Sequence, residues 1–103
     1  MSVRWMRTAQ VSNGKFPEAI AWAKEISAWA AKKHSTPKID VWLDAFGAVG
    51  TLRWSMDYAD LATFEKMQNA VLVDADYWRM IEQAAKAQLF IDGSMHDVIC
   101  KSL

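Results

Sequence analysis

The chain has 103 residues, 52% hydrophobic and 23% charged, which bounds it to one domain with a modest core. Twelve basic and twelve acidic residues cancel to a formal net charge of zero, a balance that argues against nucleic acid, whose phosphates need clustered Lys and Arg. The six tryptophans of so short a chain point instead to interface cores and ligand pockets, where Trp is enriched.

A single cysteine, Cys100, excludes an intrachain disulfide. With no apolar run resembling a signal peptide, a cytoplasmic location is expected. No stretch reaches the roughly 18 uninterrupted apolar residues of a membrane span, so no membrane partner is expected.

Residues 3 to 11 read as a strand. Val3, Trp5, Ala9 and Val11 share one side, and Arg7 intrudes among them. Ser12-Asn13-Gly14-Lys15 is a turn cluster. Pro17 suits the first turn of a helix, where its missing N–H costs nothing. The spacing predicts that helix over 17–33, with Ile20, Trp22, Ala23, Ile26, Trp29 and Ala30 on one side and Lys24, Glu25 and Lys32 opposite. His34-Ser35-Thr36-Pro37 ends it, because the residue before a proline avoids the helical region.

Ile39 to Phe46 is expected as a second strand, and Gly47-Ala48-Val49-Gly50 as a short hairpin connection. The third strand follows at Thr51 to Tyr58, where Leu52, Trp54, Met56 and Tyr58 alternate with Thr51, Arg53, Ser55 and Asp57. Asp60 is the expected N-cap of the next helix, with Asp57 as the competing position. Leu61, Phe64, Met67 and Val71 give that helix its period over 61–73. A fresh helical start is expected at Asp74, since Asp caps better than it sits inside a helix. Over 75–88, Tyr77, Met80, Ile81, Ala84 and Ala87 share a face. Asp92-Gly93 turns the chain, and Met95 to Lys101 is the last strand.

The order β-α-β-β-α-β is that of a ferredoxin-like α+β domain spanning residues 1–103. It predicts a four-stranded antiparallel sheet with the helices on one face. If Ile39, Val41, Leu43, Leu52, Trp54 and Met56 face the helices, then Asp40, Trp42, Asp44, Phe46, Arg53 and Asp57 lie on the uncovered face. Bare aromatics there form a patch that needs a partner. A homodimer interface with satisfied ion pairs is the expectation, and an interfacial ligand site is the alternative.

Candidates for chemistry are sparse. His34 reads as a helix-terminal residue favoured by the dipole. His96 alternates with Val98 and Cys100 in the last strand, is expected to point toward the helices, and is the candidate for acid–base work near neutral pH. Cys100 reads as a buried structural thiol. No His, Cys or Asp set has metal-ligand spacing, so no metal is expected. No GxGxxG, P-loop or nucleophile elbow is present, so no cofactor is expected.

Residues 51 to 77 also resemble the dimeric α+β barrel superfamily, in particular NIPSNAP-like and antibiotic-biosynthesis-monooxygenase-like proteins. The likeness rests on Trp54 and Tyr58 in the third strand, on the helix opening Asp60-Leu61-Ala62-Thr63-Phe64-Glu65, and on Asp74-Ala75-Asp76-Tyr77. It implies homodimers with sheets packed face to face. It also implies a pocket between the first helix and the sheet, walled by Trp22, Trp29, Trp54 and His96, where oxygenase relatives would bind a flat aromatic substrate. Three functions stay open: a dimer that binds a small apolar or aromatic molecule; a cofactor-independent oxygenase, isomerase or haem-degrading enzyme; or a structural or interaction domain without catalysis.

Overall fold

The computed structural model describes residues 2–46 and 50–103. The expected hairpin connection therefore lies, at 47–49, outside the described residues. Among the described residues the elements run β1 (Val3–Gln10), α1 (Phe16–His34), β2 (Asp40–Leu43), β3 (Thr51–Tyr58), α2 (Leu61–Leu72), α3 (Ala75–Lys86) and β4 (His96–Lys101). The four strands form one antiparallel sheet in the order β2-β3-β1-β4. That is the expected ferredoxin-like arrangement.

Strand alternation explains which side is buried. Val3, Trp5, Arg7 and Ala9 of β1 pair across from Tyr58, Met56, Trp54 and Leu52 of β3. Successive side chains point to opposite faces, so these eight share the side that packs on the helices. Ala9, Leu52 and Trp54 are joined there by Ala19, Trp22 and Ala23 of α1 to make the core. Pro17 stands in the first turn of α1, and Lys32, Lys33 and His34 stand in its last, where cations suit the dipole. Ser35 closes the helix in the left-handed region at φ 52°.

The fresh helical start expected at Asp74 is present, with α2 ending at Leu72 and α3 beginning at Ala75; the end of β2 and the phase of β4 differ from expectation. Asp60 caps α2 through a bond from the Thr63 N–H at 2.7 Å, as expected, and Asp74 caps α3 by accepting from the Asp76 N–H at 2.9 Å. β2 ends at Leu43 rather than Phe46, although the Asp44 N–H still reaches the Thr51 carbonyl at 2.9 Å. β4 has the opposite phase to the one expected. Arg7 stands across from Asp97, and Thr8 across from His96, so His96, Val98 and Cys100 point away from the helices. Cys100 is exposed rather than buried.

Asp74 also ties the end of α1 to the α2–α3 corner. It accepts from Lys33 Nζ at 3.2 Å and stands 2.8 Å from His34 Nε2. The Lys33 bond, with further help from the Asp76 N–H and His34 against the opposing effect of desolvation, holds its carboxyl down at about 2. A carboxyl depressed from the usual value of about 3.9 contributes stability that is present above about pH 4 and lost as pH falls toward 2. The acid side of the stability curve is therefore expected to flatten in Asp74→Asn. Urea midpoints compared between pH 4 and pH 2 check this: the variant should be weaker at pH 7 and lose less on acidification. Curves that stay parallel to wild type would remove Asp74 as a contributor.

Candidate functional site

A cleft of about 110 Å³ lies between α1, α2 and the helix-facing side of the sheet. Helical spacing on α1 places Trp22, Ile26 and Trp29 along it, and α2 closes the opposite wall with Phe64, Met67 and Val71. Trp54 and Met56 rise into it from β3. Trp22 and Trp54 meet edge to face, with ring centroids 6.3 Å apart and planes at 90°. Trp29 stacks on Tyr77 of α3 at 6.5 Å. The walls are thus rigid aromatic surfaces held by one another.

Among the described residues, one charged side chain lines this apolar space, the Arg7 that intrudes into the apolar side of β1. Its guanidinium closes on Asp97 of β4 through Nε at 2.7 Å and Nη2 at 2.9 Å, and Nη1 donates to the Tyr77 hydroxyl at 3.1 Å. Burial opposes the charge on Arg7, but the bonds to Asp97 and Tyr77 outweigh it and hold the guanidinium above its usual range. Burial likewise pushes the Asp97 carboxyl up, and the Arg7 bond more than reverses that. The pair is therefore a fixed, fully ionised strut between β1, β4 and α3, the bidentate geometry that makes Arg–carboxylate bonds strong.

Trp22, Trp29 and Trp54 line one cleft, whereas His96 does not join them. His96 lies on the other face of the sheet and is exposed. The physical reason is the Arg7–Asp97 pair, which sets the phase of β4. Arg7 and Tyr77 line the cleft instead, with Asp97 bonded to Arg7. The intruding Arg7 was the sequence signal; its partners, 70 and 90 residues away, had none.

The uncovered face of the sheet carries Asp40, Trp42, Arg53 and Asp57 as expected, with Trp42 across from Arg53. Trp42 is 60% exposed. The charges there pair within the chain: Arg53 with Asp44 at 2.7 Å, Arg4 with Asp57 at 2.7 Å and Lys38 with Asp40 at 3.5 Å. Phe46 stands beyond the end of β2 at 91% exposure, so it is not part of the ladder. Among the described residues, no group of three or more His, Cys, Asp or Glu side chains lies close enough to hold a metal ion, and no helix is long and apolar enough to cross a membrane.

The architecture is that of a ferredoxin-like α+β domain with an aromatic cleft under its helices. No protein-family model matches this sequence, and no curated protein matches it. Solved structures do. A NIPSNAP family protein from Agrobacterium tumefaciens superposes with a TM-score of 0.81 at 14% identity, over 100% of this chain and 94% of that one. An uncharacterized NIPSNAP-like domain protein from Burkholderia xenovorans gives 0.80 at 11% identity, over 99% and 85%. A putative antibiotic biosynthesis monooxygenase from Nitrosomonas europaea gives 0.72 at 12%, over 99% and 90%. At these identities the likeness is one of fold: the chain is built like the NIPSNAP family proteins and the monooxygenase-like protein.

Proposed function

We propose that the protein is a homodimeric binding domain for a small apolar or aromatic molecule, held in the cleft between α1, α2 and the sheet. The observation that carries this reading is the cleft wall of Trp22, Trp29 and Trp54, brought from a helix and a strand around about 110 Å³ of space. That is somewhat less than the roughly 150 Å³ of an apolar cavity that holds benzene, so a single ring fits with part of it left at the open mouth of the cleft. Among the described residues the lining includes no Asp, Glu, His, Lys or Cys, and the carboxylate that Arg7 holds, Asp97, is committed to that guanidinium. This supports binding over acid–base chemistry by a carboxylate or an imidazole.

The homodimer is proposed through the open face of the sheet, where Trp42, Met6 and Val98 stand among ion pairs already closed within the chain. A cytoplasmic location agrees with an exposed Cys100 left as a free thiol. Titration with toluene tests the cleft: intrinsic Trp emission is expected to change saturably and the melting temperature to rise. A linear, unsaturable response without thermal stabilisation would sink the binding reading.

A further inference from the structure

We infer that the cleft selects an uncharged ligand carrying a hydrogen-bond acceptor, a carbonyl oxygen foremost, to which the Trp54 indole N–H donates. This rests on the binding reading above and adds the chemical class of the ligand.

Two buried polar atoms have no hydrogen-bond partner among the described residues, Trp54 Nε1 and Thr36 Oγ1. Both residues line the same cleft. Trp54 is 4% exposed, and its indole nitrogen is a donor only. Other indoles of the chain are met: Trp22 Nε1 donates to the Met80 carbonyl at 3.0 Å and Trp78 Nε1 to the Leu72 carbonyl at 2.7 Å. A buried donor left unmet is costly, so native interiors pair nearly all of them. Both atoms are closed to a water-sized sphere, so a ligand acceptor reaches the Trp54 N–H as the side chains packed over it give way, and the Thr36 hydroxyl offers a second contact.

Charge at the cleft decides against an anion. Among the described residues Arg7 is the one cation that lines it, and that fork is closed bidentately on Asp97 with Nη1 on Tyr77. A carboxylate brought beside Trp54 would be desolvated against aromatic walls without a free counter-charge. A neutral carbonyl takes the same N–H without that cost.

Three compounds of one skeleton separate the possibilities: ethylbenzene without an acceptor, acetophenone with a neutral one, and benzoate with a charged one. Nitrogen-15 NMR of the full chain follows the indole N–H signals, with Trp54→Phe identifying the Trp54 signal by its loss. Acetophenone is expected to move that signal downfield and to bind about tenfold tighter than either ethylbenzene or benzoate, the worth of one net hydrogen bond to an otherwise unmet donor. In Trp54→Phe, acetophenone and ethylbenzene should bind alike. Equal affinity for ethylbenzene and acetophenone in wild type overturns the acceptor claim while leaving the cleft as a binding site. Benzoate binding tightest overturns the charge claim. Failure of all three to bind overturns the binding reading itself. Should Trp54→Phe not fold, the wild-type affinity order decides alone.

Discussion

Trp22→Ala is expected to lower the free energy of unfolding by about 3–5 kcal/mol, the usual cost of truncating a buried large aromatic. Against a typical total of about 5–15 kcal/mol, that leaves a small domain close to unfolding at ambient temperature. The size follows from where Trp22 sits. Its ring is 9% exposed and makes edge contacts with Trp54 at 6.3 Å and Phe90 at 5.5 Å. Its N–H donates to the Met80 carbonyl of α3, so one side chain of α1 joins the sheet to a second helix. Trp22→Phe should cost less, because most apolar area stays and only the bond to Met80 goes. Urea unfolding followed by far-UV circular dichroism separates the two variants. A Trp22→Ala protein within about 1 kcal/mol of wild type would mean that the cleft collapses to fill the gap.

How much was legible in the sequence can be read strand by strand. β1 and β3 each have one side packed under helices, so a one-residue slip would expose a whole buried set, and the pattern of Leu52, Trp54 and Tyr58 alone fixes the phase. α1 was legible for the same reason, with its apolar stripe at helical spacing. β4 was not. All six of its residues are exposed, and apolar Val98 and Ile99 stand on opposite faces, so no buried side identifies the phase. The Arg7–Asp97 bond sets it, a contact between residues 90 apart that no local period encodes. The same holds for the cleft. Trp22, Trp29 and Trp54 follow from local spacing, whereas the bonds from Arg7 to Asp97 and to the Tyr77 hydroxyl depend on tertiary pairing.

Static light scattering at micromolar concentration is expected to give twice the 11.7 kDa chain mass, and Trp42→Asp is expected to halve it. The helices reach one side of the sheet only. Trp42 alternates with Val41 and Leu43, which share the phase of Trp54 and Leu52, so the Trp42 ring cannot enter that core. Covering its remaining 60% exposure is worth about 2–4 kcal/mol per copy, from the area of a Trp ring at 25 cal/mol per Å². A two-fold contact gains this twice. The neighbouring charges do not oppose it, because Arg53 and Arg4 already hold Asp44 and Asp57 and lower both carboxyls from their usual range. Met6 and Val98, across one another on β1 and β4, extend the apolar strip, and a total near 1,600 Å² is the size expected of a stable contact. A carboxylate at position 42 would be desolvated at the centre of that contact, whereas Val73→Asp, at an 84% exposed site after α2, should leave the mass unchanged. Since the ion pairs close within each chain, the dimer should also persist at 1 M salt, where the screening length is only about 3 Å. A wild-type mass of 11.7 kDa would end the proposal. A Trp42→Asp protein that remains dimeric would move the contact to another surface.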